Sequence, residues 1–149
     1  MKYLVVSVII VLLTVGCVKK EKEKDKMEDI IIEENKNGTV IEYKEYRNDM
    51  AISDDNTNYI VITSDKKITW GKDESRLLTD SEYNELIKLA FTESFKSIGS
   101  DVTDPRVMDG RSSYITLYYN NGETFKIGGS NPSNTQYRIV ENKINSYAK

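Results

Sequence analysis

One stretch decides how much of this chain can build a core. After Met1-Lys2, the residues from Tyr3 to Leu13 are almost unbroken apolar, and the run ends at Thr14-Val15-Gly16-Cys17. Behind it comes Lys19-Lys20-Glu21-Lys22-Glu23-Lys24-Asp25-Lys26, with almost nothing apolar before Ile30-Ile31-Ile32. A core must be assembled from the residues beyond that point. In a chain of 149 residues that leaves room for one ordinary domain. A positive start, an apolar stretch of about 11 residues and a small residue at a cut site describe a secretory signal. A spanning helix needs ~20 apolar residues, so the run is too short to stay in the membrane comfortably.

The Thr14-Val15-Gly16-Cys17 segment resembles the lipobox of bacterial lipoproteins, with Thr14 where that family usually carries Leu. The resemblance covers residues 1–17 and says nothing of the rest. It implies that the Cys17 thiol takes a diacylglycerol, that the peptide is cut just before it, and that palmitate label enters there. Two acyl chains hold a protein stably where one would not. The expected organisation is a signal peptide over 1–16, a lipidated Cys17 with a charged tether over 17–35, and a single globular domain over 36–149. The expected location is the outer face of a bacterial cytoplasmic membrane or the cell envelope. Interleaved Lys and Glu keep such a tether solvated. About 17 flexible residues span roughly 20–25 Å.

Composition removes several kinds of chemistry. The formal net charge is -3, which argues against nucleic acid as a partner, because phosphate binding needs an excess of clustered Lys and Arg. There is no histidine, so the usual general base near neutral pH and the commonest metal ligand are missing. The single cysteine allows neither an internal disulfide nor a thiolate zinc cluster. No cofactor is expected.

From Gly38 onward the pattern is that of a folded α+β domain. Thr39 to Arg47 alternates as a strand, Asn58 to Ser64 is β-branched, and Lys67-Ile68-Thr69-Trp70 returns after a turn at Ser64-Asp65-Lys66. Thr79-Asp80-Ser81-Glu82 fits a capping box. Tyr83, Leu86, Ile87, Ala90, Phe91 and Ile98 then recur at helical spacing, predicting one helix that stops near Gly99. Tyr114 to Tyr119 alternates, and Asn121-Gly122 closes a hairpin onto Glu123 to Ile127. Gly128-Gly129-Ser130-Asn131-Pro132 is expected to break that strand. Ser133 or Asn134 can cap a last helix bearing Tyr137, Val140, Ile144 and Tyr147. The order reads β-β-β-α-β-β-α: an antiparallel sheet of about four to five strands with two helices on one face. Ile60, Ile62, Ile115, Leu117, Phe125 and Ile127 would face those helices. The domain is similar in outline to many small secreted bacterial domains, without pointing to a named family.

Several motifs touch on chemistry, and each has a plainer reading. Ser64-Asp65-Lys66-Lys67 matches S-x-x-K, but that motif needs its serine at a helix start, and here it falls in a hairpin turn. Asp54, Asn56, Asn58, Val61 and Asp65 follow part of a calcium-loop spacing, but Tyr59 stands where Gly is required. The Gly128-Gly129 turn lacks the lysine of a phosphate loop. Paired carboxylates remain an option for a small hydrolase, without any residue pair to assign. No catalytic residue and no metal ligand is predicted.

The remaining lead is the face the helices leave bare. If Ile115 and Leu117 point inward, Tyr114, Thr116 and Tyr118 point outward, joined by Tyr59 and Val61 from the matching strand. Tyrosine has an apolar body and a polar tip and is enriched in contacts between proteins. It is also simply a good strand former. The expectation is a non-enzymatic binding or interaction module, anchored to the membrane by lipid and meeting an envelope protein, a peptide or a glycan. The alternatives are a small hydrolase or enzyme inhibitor with an acidic site, and a structural envelope lipoprotein.

Overall fold

The computed structural model of this chain describes residues 31–47, 57–107 and 110–149. The apolar run, Cys17, the charged stretch up to residue 30, and Asp54 and Asn56 lie outside the described residues. Nine elements occur in order among them: β1 (Thr39–Arg47), β2 (Thr57–Thr63), β3 (Lys67–Trp70), β4 (Glu74–Leu77), α1 (Asp80–Ala90), α2 (Glu93–Ser97), β5 (Arg111–Tyr118), β6 (Thr124–Ser130) and α3 (Thr135–Tyr147). The strands form one sheet in the order β4-β3-β2-β1-β5-β6, and every pairing in it is antiparallel.

The α+β architecture agrees with the sequence pattern, with six strands and three helices in place of four to five and two. The additional strand is β4. It carries no apolar alternation because it is an edge strand, and Leu77 is 68% exposed. Pairing with β3, from Lys67↔Leu77 to Trp70↔Glu74, makes it a strand. Arg76 then anchors it by donating to the Tyr147 carbonyl at 3.0 Å and to Glu82 at 2.9 Å.

The predicted single helix from Thr79 to Gly99 breaks after Ala90. Its start is as expected: the Glu82 amide donates to Thr79 Oγ1 at 3.2 Å, and the Thr79 amide donates to Glu82 Oε2 at 2.8 Å. The break has two causes. Thr92 leaves the helix and caps a new one, its Oγ1 accepting from the Phe95 amide at 3.1 Å. The Phe91 carbonyl is taken by the Ile32 amide at 2.7 Å. A segment distant in sequence thus competes for the hydrogen bond that would have continued α1.

A second difference lies in β6, which runs through Gly128 and Gly129 instead of ending at them. A Cβ on Gly128 would lie 2.2 Å from the Ser113 carbonyl oxygen and 2.6 Å from Tyr114 Cδ1. One on Gly129 would lie 2.2 Å from Thr103 Oγ1. The glycines let β5 and the 100–104 segment close in on both sides of β6. That segment covers the outer edge of β6: the Val102 amide donates to the Gly128 carbonyl, and the Asp104 amide to that of Ser130, each at 3.0 Å.

Period-two alternation sends Ile41, Tyr43, Ile60, Ile62, Ile115, Leu117 and Ile127 to the helix side, where all are fully or almost fully buried. Phe125 packs partly buried against the same core. Leu86, Ala90, Phe95, Val140 and Ile144 close that core from the three helices. The Asn134 side chain caps α3, accepting from the amides of Gln136 and Tyr137.

Candidate functional site

The other side of the sheet carries the predicted surface. β2 alternates so that Tyr59 and Val61 point away from the buried Ile60 and Ile62, and β5 does the same with Tyr114, Thr116 and Tyr118 around Ile115 and Leu117. All five predicted residues therefore lie on one face. β1 runs between the two strands that bear them. The register places Glu42 of β1 opposite Val61 and Thr116, and Lys44 opposite Tyr59 and Tyr114.

Those β1 residues tie the face together. The Tyr59 hydroxyl donates to Glu42 Oε1 at 3.1 Å, and Tyr118 hydrogen-bonds to the same carboxylate. Partial burial, reinforced by the Glu42 charge, pushes the Tyr59 phenol up to about 12. Tyr118 moves the same way for the same two reasons. The phenols thus stay protonated and serve as donors. Lys44 Nζ sits 4.9 Å from the Tyr59 ring centroid, and Lys126 Nζ 4.5 Å from that of Tyr114. Tyr46 meets Tyr114 edge to face at 6.4 Å. Tyr114 also lies against Gly128, the position opposite it on β6. The result is a low, pre-ordered surface of phenols, amines and one carboxylate, suited to hydrogen bonding and aromatic contact.

Glu42, Lys44, Tyr46 and Lys126 are legible in the sequence only in part. The alternation of Thr39 to Arg47 puts Glu42, Lys44 and Tyr46 on one side, but nothing local shows that β1 lies between β2 and β5.

A second cluster was not foreseen from the sequence. Glu141 of α3 is 0% exposed. It accepts from Ser113 Oγ at 2.6 Å, Arg111 Nη2 at 2.8 Å and Tyr43 Oη at 3.2 Å, and Arg138 Nη1 lies 3.3 Å away. Arg111 also reaches Glu45 at 3.2 Å, and Tyr137 donates to Ser113 at 3.0 Å. Burial, with the nearby carboxylates adding to it, drives the Tyr43 phenol far above its ordinary range. The Tyr137 phenol also rises through burial, although its hydrogen bond with Ser113 opposes the shift. Both oxygens of Glu141 are engaged, and Ser113 is itself 0% exposed. The cluster pins α3 to β1 and β5, with no room for a substrate at the serine. Its one trace in the sequence is a glutamate on the inward stripe between Tyr137 and Ile144, one helical turn from each.

Ser64 lies in the β2–β3 turn and accepts from the Gly38 amide at 3.1 Å. Asn58 and Val61 belong to β2, and no group of three or more metal-ligating side chains gathers among the described residues. Asp104 is held by Arg106 at 2.8 and 2.9 Å, and this partner keeps its carboxyl down at about 2. None of the helices among the described residues is long and apolar enough to cross a membrane. In comparisons with family models, curated proteins and solved structures, no match was found for this chain.

Proposed function

We propose that this chain is a lipid-anchored protein of the bacterial envelope, tethered through Cys17, whose folded domain is a non-enzymatic binding module. The partner, an envelope protein, a peptide or a glycan, is met through the open sheet face. The observation that carries the reading is the segregation of Tyr46, Tyr59, Tyr114 and Tyr118 onto the side opposite the helices, with Tyr59 and Tyr118 ordered by Glu42 and Tyr46 set against Tyr114. Tyrosines fixed in this way lose little further freedom on binding, which favours affinity.

Two experiments test it. A photo-reactive phenylalanine analogue is placed at position 59, 114 or 118 of the full chain in cells, with position 84 on the helix layer as control. The reading requires a discrete adduct from the sheet positions that fails to form from position 84, and loss of that adduct when the remaining face tyrosines are changed to Ser. Equal labelling from both sides removes the face from consideration. For the anchor, wild type must incorporate labelled palmitate and Cys17→Ala must not.

A further inference from the structure

The open sheet face carries an excess of positive charge on a chain whose formal net charge is -3. On β1, β2, β5 and β6 the ionised side chains that point away from the helices are Lys44, Lys126 and Glu42. Glu42 already accepts from the Tyr59 and Tyr118 hydroxyls. Neither lysine makes an ion pair among the described residues. Each ammonium rests on a phenol ring instead, Lys44 on Tyr59 and Lys126 on Tyr114. Lys67, farther out on β3, stands near Asp65 and adds no excess. Lys126 and Tyr59 are exposed, and Lys44 and Tyr114 are half-buried, so the surface is open to a partner.

Tyr59 and Tyr114 pair with Lys44 from its two sides, so they stand two strands apart, about 10 Å at the backbone. Amines resting on rings that far apart call for two anionic groups on one chain rather than a single small ion. The rest of the face is largely hydroxyl. Thr57, Thr69, Thr116 and Thr124 lie there beside the phenols, with no side-chain hydrogen bond of their own among the described residues. A protein partner favours an interface core that is apolar and poor in lysine. A neutral sugar stacks on bare aromatic faces, and here two rings already carry an ammonium. An acidic glycan meets all of these features: anionic groups for the lysines, hydroxyls for the threonines and phenols, and repeated sugars to span the distance.

We propose that the partner of the open face is an acidic glycan, a linear polysaccharide with anionic groups on its sugars, held by Lys44 and Lys126 and hydrogen-bonded by the threonines and phenols around them. The inference rests on the reading of that face as the binding surface and names the chemistry bound there. Because the chain is acidic overall, a polyanion is attracted only by a local excess of lysine. The other lysine-rich stretch, residues 19–26, is told apart by substitution on the face.

The test titrates the full chain in neutral detergent and reads amide shifts by NMR. The probes are short oligomers of galacturonate and of dextran sulfate, with malto-oligosaccharide and poly-L-glutamate of matched length as controls. The expected result is a saturable response to at least one acidic glycan, centred on Lys44, Tyr59, Tyr114 and Lys126 and weakened by added salt. Both controls should bind about tenfold more weakly. Lys44→Gln with Lys126→Gln should weaken the response about tenfold, the worth of two exposed charge contacts. Lys44→Arg with Lys126→Arg keeps the charge and should restore it. The proposal is overturned if neither acidic glycan gives a saturable response, if the shifts lie off the face, if they survive the Gln pair, or if the Arg pair binds no better than the Gln pair. Equal binding of either control at the face also overturns it, while leaving the face as a binding surface. The photo-adduct experiment, which uses no sugar, judges that surface by itself.

Discussion

Glu141→Ala should be among the most damaging single substitutions in the domain. The carboxylate is completely shielded from solvent, and its removal strands the Ser113 hydroxyl proton and one side of the Arg111 guanidinium, while the Tyr43 hydroxyl keeps Glu45 Oε2 at 2.7 Å. Breaking a buried ion pair by deleting one partner costs about 3–5 kcal/mol, because the other is left desolvated and unpaired. Arg111 keeps Glu45 at 3.2 Å, which places the loss toward the lower end of that range. Arg138 is half-exposed and adds little. Against a total stability of about 5–15 kcal/mol, the loss is a large fraction. The assay is urea unfolding of the full chain, comparing midpoints at constant m. Arg111→Leu should cost a similar amount alone. The double variant Glu141→Leu with Arg111→Leu should cost at least about 2 kcal/mol less than the sum of the two, because it removes both charges. A Glu141→Ala cost below about 1 kcal/mol would refute the argument, since that is what a solvated surface pair is worth.

Three other perturbations probe the rest of the domain. Arg76, with the Thr79 amide assisting, holds the Glu82 carboxyl down at about 2 from an ordinary 4.5, so its contribution is complete above about 4.5 and drains as pH falls toward 2. Arg76→Ala should flatten that acid limb in a series of melting midpoints against pH, and an unchanged limb would exclude the pair as its source. Gly128→Ala should cost more than about 2 kcal/mol in denaturant, because the new methyl meets backbone at 2.2 Å that cannot yield without parting β5 from β6. Thr79→Ala should cost about 1 kcal/mol by the same assay, with loss of amide protection confined to the first turn of α1.

Much of the fold could be read along the chain because its signals are local. The capping box at Thr79, the Asn134 cap, the Asn121-Gly122 turn and the alternation in β1, β2 and β5 each act within a few residues. Backbone sterics and hydrogen bonding therefore favour them before any long-range contact forms. The same alternation decided in advance that Tyr59, Val61, Tyr114, Thr116 and Tyr118 would share a side once a sheet existed. Tertiary structure decided what depends on partners far away in sequence. β4 exists because β3 offers it a ladder. α1 ends at Ala90 because Thr92 caps a new helix and Ile32 takes the Phe91 carbonyl. β6 passes through two glycines because β5 and the 100–104 segment press on it. Glu141 sits on the inward stripe of α3 and is tolerated there only because Arg111, Ser113 and Tyr43 arrive from two strands to satisfy it. A buried charge is stable only where distant groups meet it, and no local pattern records that meeting.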